Sequence, residues 1–363
     1  MSLVASCSSC LTRHPDVAKI SSTGGGPTGK RIAANAADRL VPVSLELGGK
    51  SPNIVFEDAD LNRAIVGAVA GIFGAAGQTC VAGSRLLVQR SVYDRVLSEV
   101  SARAGRVRLG DPKSTGTEMG PVANQPQYDR ILGMMAAAQE SGERVTAGGG
   151  AASGDDLGDG LFVQPTVLAD VDPDSAIAHE EVFGPVLAVI PFDTEEDAVR
   201  IANGTEFGLA AGVWTSDVSR SFRMTAALDA GVIRVNTYRT SAAQAPFGGI
   251  KQSGYGRERG EDALADYTYV KNVMVDTSTA ARRTGGRGVG ARAGGREQGA
   301  ARRQQPLHGR HLPHDARRPR GHQAGAAQRQ CSRTRRAATR TCTPCSSTVT
   351  AGASSTRART TSS

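Results

Sequence analysis

Lysine and aromatic residues are missing from the last quarter of this 363-residue chain, and cysteine is nearly missing from the rest. From Thr277 to Ser363 there are 18 Arg, no Lys and no Phe, Tyr or Trp, against Glu297 and Asp315 alone. The formal charge of +8 therefore comes entirely from this tail; the 25 basic and 33 acidic residues before it leave the body of the chain acidic. Between Cys10 and Cys331 the only cysteine is Cys80, which excludes a disulfide framework and points to a reducing compartment. No apolar run approaches the roughly 18 to 20 residues that cross a bilayer, so no membrane partner is expected. The opening MSLVASCSSC has neither a basic n-region nor a long apolar h-region and is not read as a signal peptide. A cytoplasmic protein without a bound metal is the expectation.

The composition of the tail, rich in Arg, Ala, Gly, Thr, Ser and Gln without apolar periodicity, predicts disorder over 277–363. Guanidinium groups in this number bind phosphates without sequence preference, which makes nonspecific nucleic-acid binding one reading of the tail. The absence of aromatic residues for base stacking weighs against it, and no specific nucleic acid is expected. A shifted reading frame in GC-rich DNA yields the same composition and accounts better for the abrupt change after Asp276.

What is present before Thr277 is an alternation of short β-branched runs with helical patterns, in a chain 39% hydrophobic and long enough for two ordinary domains. Strands are predicted at Val17–Ser21, Asn53–Phe56, Arg85–Gln89, Val186–Pro191, Ala211–Thr215 and Gly231–Asn236. Helices are predicted at Asn62–Ala75, Val92–Ala104, Gln127–Glu140, Thr194–Asn203 and Ser219–Leu228. This order implies an α/β fold with a mostly parallel sheet covered by helices. Gly148–Gly160 reads as an exposed connection, and Phe247–Gly260 as a loop whose aromatic and basic residues make it more than a spacer.

Three segments could carry chemistry. Gly24–Lys30 has the G-x-x-x-x-G-K spacing of a phosphate loop, but Arg31 stands where a Ser or Thr hydroxyl would hold magnesium, which argues against a nucleotide triphosphatase. A glycine turn into a helix over Lys30–Leu40 is the simpler reading. Leu45-Glu46-Leu47-Gly48-Gly49 sets a carboxylate on a tight, partly apolar turn, where desolvation raises its pKa towards that of a general base; such an acid is otherwise a solvated strand end. Gly77-Gln78-Thr79-Cys80-Val81-Ala82-Gly83 surrounds the lone cysteine with small residues, which leaves the sulfur accessible and lets backbone N–H groups approach a reacting oxygen; a buried inert cysteine is the competing reading.

Taken together, the Glu46 and Cys80 motifs resemble the two active-site signatures of the aldehyde dehydrogenase superfamily. Other parts of that pattern follow in order. His14–Arg31 resembles its cofactor segment, with Ser22 in place of a common phenylalanine, Glu180–Val186 its nicotinamide-ribose segment, and Ala245–Gly254 its late substrate-side loop. The resemblance covers about His14 to Val275. It implies an aldehyde dehydrogenase-like catalytic domain at 49–247, a remnant of a Rossmann-like cofactor domain at 1–48, and a return helix with an oligomerisation-type strand at 248–276.

The resemblance further implies Cys80 as the nucleophile and Glu46 as the base that activates water on a thioester. It implies cofactor contacts from Gly24, Gly29, Gly48, Glu181 and Phe183, and an aldehyde tunnel shaped by Asn236 and Phe247. NAD or NADP is the implied cofactor and a small aldehyde the implied substrate. Tyr267–Val275 resembles a subunit-bridging strand and so suggests a homo-oligomer. Family members carry most of a cofactor domain ahead of the segment matched here, including an asparagine that donates to the oxyanion; an inactive or unstable fragment is therefore the alternative expectation.

Overall fold

The computed structural model describes residues 10–154, 156–277 and 349–351. Its largest sheet has seven strands in the order β10-β9-β3-β4-β7-β6-β5. These are β3 (Pro52–Val55), β4 (Arg85–Gln89), β5 (Arg144–Ala147), β6 (Thr166–Ala169), β7 (Val186–Phe192), β9 (Ala210–Trp214) and β10 (Val232–Val235). Every neighbouring pair is parallel except β5 with β6, which closes one edge antiparallel.

The helices that connect these strands cover both faces. On one face lie α2 (Leu61–Phe73) and α3 (Tyr93–Ala104), on the other α4 (Gln125–Glu140), α6 (Glu195–Asn203) and α7 (Val218–Ala227). Strand side chains alternate between the two cores: Ile54, Leu87 and Ile190 enter one, Val55, Leu86, Val88 and Val189 the other. A strand buried on both faces has no polar position to spare, so it appears in sequence as an unbroken apolar run. Leu86 and Leu87 are both fully buried, which stabilises the fold by about 1.5–3 kcal/mol each.

Local chemistry fixes the helix ends. Asp60 caps α2 by accepting from the Arg63 N–H, Asn124 caps α4 through Gln127 N–H, and Thr194 with Asp197 forms a reciprocal capping box on α6. At the C-terminal end of α6 the buried Arg85 donates from Nη1 to Ile201 O and from Nη2 to Ala202 O, both at 2.7 Å, and from Nε to Lys50 O. The cation thus supplies a donor to Ala202 O, adds a second to Ile201 O beside the Gly204 N–H, and sits at the negative end of the helix dipole.

A second sheet has the order β12-β2-β1-β13, from β1 (Ile20–Thr23), β2 (Val43–Glu46), β12 (Gly254–Tyr255) and β13 (Val349–Ala351). Helix α1 (Gly26–Ala37) packs on it through Ile32 and Ala36 against Ile20, Leu45 and Leu47. The helix expected from Lys30 begins four residues earlier, because Pro27 occupies its first turn, where a missing N–H costs nothing. A two-stranded ribbon pairs β8 (Phe207–Gly208) with β11 (Ile250–Lys251). Helices α5 (Ala176–His179) and α8 (Asp262–Ala265) are single turns.

The expected tail disorder falls on residues outside those described, save β13, which pairs antiparallel with β1 from Ile20↔Ala351 to Ser22↔Val349. Tyr267–Val275, expected as a subunit-bridging strand, is irregular and makes no ladder within this chain among the described residues, and Tyr269, Val270 and Met274 are largely exposed. Lys271–Thr277 belong to a separate unit and are exposed and irregular. Among the described residues no helix is long and apolar enough to cross a membrane.

Candidate active site

Two short connections meet at one place. Strand β2 ends at Glu46 and Leu47–Ser51 lead into β3 as an irregular connection, not the tight turn expected from the glycines. Helix α2 ends at Gly74 and turns through Gly74–Gly77, where Ala75 and Ala76 take left-handed conformations at φ +55° and +53°. Each costs an L-residue about 1–2 kcal/mol, a strain held by the packing around it, and the turn presents Gln78, Thr79 and Cys80 at the head of β4.

Three glycines allow these segments and 181–184 to touch. A Cβ on Gly49 would lie 2.6 Å from Cys80 O, one on Gly48 2.0 Å from Glu181 Oε2, and one on Gly77, at φ +69°, 2.0 Å from Gly184 O. The 181–184 segment is gripped from α4: Gln127 Nε2 donates to Val182 O and Phe183 O, and Arg130 donates to Glu181 O and Val182 O. Gly49 N–H donates to Glu181 Oε1 at 3.0 Å.

The result is a cleft of about 840 Å3 onto which Gly24, Glu46, Cys80, Glu181, Phe183 and Phe247 all open. These six expected residues are brought together. Gly48 stands behind Glu181, so its missing side chain makes room for that carboxylate rather than for a ligand. Gly29 and Asn236 lie elsewhere. Gly29 is buried on the inner side of α1, where a Cβ would meet Leu47 Cδ2 at 2.6 Å; helix packing, not phosphate, explains it, and Gly25 takes its place at the cleft. Asn236 exchanges hydrogen bonds with the Thr215 backbone through both its Oδ1 and its Nδ2, and faces a separate hollow beside Trp214.

Glu46 is 4% exposed, and neither carboxylate oxygen has a hydrogen-bond partner. Burial, reinforced by Glu258 and offset in part by Arg257 and Arg259, raises its pKa from 4.5 to about 7. The loop that closes over it is tight: a Cβ on Gly248 would lie 2.8 Å from Glu46 Oε1. Burial pushes the Cys80 thiol up, as do the carboxylates of Glu181 and Glu46, while the N–H groups of Cys80 and Val81 pull it back down. Glu181 is raised by burial and lowered by the Gly49 N–H, Arg130 and Lys50. Lys50 is fully buried, and burial and Arg85 bring it down to about 7 against the opposing pull of Glu181.

Sequence reasoning missed Gln78, Gln127, Arg234, Arg239, Glu258 and Arg259, which also line the cleft. Glu258 and Arg259 fall in the loop singled out for its aromatic and basic residues, the one signal that pointed to them. A buried carboxylate without partners and a half-buried cysteine open onto one cleft, the pairing that covalent catalysis by a cysteine with a general base requires.

Comparison with known proteins agrees. Residues 3–273 match the model of the aldehyde dehydrogenase family, and the chain belongs to that family. The betaine aldehyde dehydrogenase of Sinorhizobium fredii is 47% identical over 265 residues, 73% of this chain and 54% of its own length. That of Cereibacter sphaeroides is 48% identical with the same coverage. Among solved structures, a point mutant of Staphylococcus aureus betaine aldehyde dehydrogenase in complex with NAD+ superposes with a TM-score of 0.75 at 39% identity, covering 77% of this chain and 57% of that one. The NAD+ complex of a Bacillus cereus aldehyde dehydrogenase gives 0.72 at 44% identity, covering 75% and 54%. The chain spans about half the length of the curated relatives it matches.

Proposed function

We propose that this chain oxidises an aldehyde to a carboxylic acid, with Cys80 as nucleophile, Glu46 as general base and NAD+ or NADP+ as oxidant. The opening of Cys80 and Glu46 onto one cleft carries the reading.

The residues present fit the nicotinamide-ribose and phosphate end of such a cofactor. Helix α1 starts beside the cleft at an N-cap, Gly25, that makes no side-chain cap bond, and a Cβ on Gly24 or Gly25 would meet nothing within 4 Å. Open amides at a helix N-terminus suit phosphate, and Glu181, positioned by Gly49 N–H, offers a carboxylate to ribose hydroxyls. When bound, the cofactor supplies the hydride acceptor.

Cys80 sulfur adds to the aldehyde carbon, and the thiol proton is released. Glu46, with its pKa near 7, is matched to hold that proton at neutral pH. The N–H groups of Cys80 and Val81 act on the sulfur, which supports assigning them to polarise the carbonyl oxygen on the adjoining carbon. Loss of hydride from that carbon leaves a thioester on Cys80. Glu46 gives up the first proton to solvent and then takes one from water as its oxygen attacks the thioester; the carboxylic acid departs and that second proton passes to the sulfur, restoring the thiol.

Purified full-length chain incubated with an aldehyde and NAD+ or NADP+ is expected to raise absorbance at 340 nm, and Cys80→Ala to abolish the rise. Undiminished activity in Cys80→Ala sinks the assignment.

A further inference from the structure

We infer that the aldehyde taken at Cys80 carries a carboxylate at its far end, held by the guanidinium groups of Arg234, Arg239 and Arg259. The inference rests on the reading of Cys80 as the aldehyde acceptor and adds the substrate class.

All three arginines line the cleft that holds Cys80, and all come from the segment that also supplies Phe247. Arg259 lies over the Phe247 ring, 5.2 Å from its centroid, and Arg234 over Tyr238 at 5.8 Å. Among the described residues none of the three takes part in a salt bridge. Their hydrogen bonds go to backbone: Arg234 Nε to Thr240 O and Arg239 Nη1 to Ala70 O. Arg234 is 6% exposed, and its Nη1 is buried with no partner. A buried guanidinium N–H left unmatched is destabilising, and a ligand oxygen acceptor removes that cost.

The cleft also holds three carboxylates, and none forms an ion pair or hydrogen bond with these arginines, although Arg259 lies near enough to Glu46 to oppose the rise in its pKa. Glu181 accepts from Gly49 N–H, Glu258 accepts from Ser21 Oγ at 2.6 Å, and Glu46 is buried beneath Gly248. The guanidinium groups therefore remain available to an anion. A planar guanidinium grips a carboxylate through paired N–H donors, whereas the same wall repels a quaternary ammonium group.

The test uses the full chain and reads Cys80 directly, apart from turnover. Alkylation of Cys80 by neutral iodoacetamide is followed by peptide mass spectrometry in the presence of succinic semialdehyde, butanal or betaine aldehyde. Succinic semialdehyde is expected to protect Cys80 at a concentration about tenfold below that of butanal, with betaine aldehyde weakest. Arg239→Gln, at an exposed position, is expected to close the gap between the first two, Arg259→Gln to narrow it, and Arg239→Lys to retain part of it. Equal protection by all three aldehydes, or strongest protection by betaine aldehyde, overturns the inference and leaves Cys80 as the acceptor. Protection by none overturns both. A change in Arg239→Gln confined to cofactor affinity assigns the arginines to the cofactor and likewise overturns it.

Discussion

The carboxylate of Glu181 occupies the space that a side chain on Gly48 would fill, with Oε2 only 2.0 Å from where a Cβ would stand. Gly48→Ala must therefore move Glu181, and with it the bond from Gly49 N–H. The expected outcome is a rise of about tenfold in KM for the cofactor, with a smaller change in KM for the aldehyde. Steady-state kinetics with each substrate varied in turn checks it; equal effects on both would detach Glu181 from the cofactor.

Glu46 links catalysis to stability through its proton. Its folded pKa, about 7, lies above the ordinary 4.5, so between these values the folded chain keeps a proton that the unfolded chain releases. Its contribution is fully present below pH 4.5 and is lost as pH rises through 7, a swing of about 3 kcal/mol. Glu46→Gln removes the swing. Denaturant titrations should find the variant gaining on the parent from pH 5 to pH 8, while turnover falls by about 10² to 10⁴. Parallel stability curves for the two proteins across that range would contradict the raised pKa.

Arg85 is a structural cation. Met of similar length would fill its volume and avoid burying a charge, but Ala202 O and Lys50 O would lose the Arg85 donor and Ile201 O would keep only the Gly204 N–H. Arg85→Met is expected to destabilise the chain by about 3 kcal/mol or more, read as a shift in the urea midpoint. A neutral result would mean that the end of α6 finds other donors.

The turn that presents Cys80 stores strain at Ala75, which is exposed and left-handed. Glycine adopts that conformation freely, so Ala75→Gly is expected to stabilise the chain by up to about 1 kcal/mol despite the entropy it adds to the unfolded state. Thermal melting checks this; a lower midpoint would show that the turn is not left-handed in solution.

The sheet was legible where strands are buried on both faces. Arg85–Gln89 matches its expected range in full, and β3, β7, β9 and β10 fall within a residue of theirs at each end, because a short, mostly apolar run between helical patterns has few other ways to bury itself. The strands Val43–Glu46, Arg144–Ala147 and Thr166–Ala169 went unread. Each is four residues long, and Arg144–Ala147 forms the half-solvated antiparallel edge, so none carries a clear period. The cysteine and the carboxylates were legible because they sit in compact motifs. The arginines were not: they are spread over 26 positions, and only the return of the chain across the cleft gathers them.

That return is made by β12, which pairs Gly254 with Glu46 and Tyr255 with Leu45, while Ser253 O accepts from Leu47 N–H. The loop that carries Phe247 is thus stitched to the very strand that bears Glu46. Under the proposed function, swinging this loop aside would break rungs beside the general base, so substrate entry and the protonation of Glu46 would be coupled.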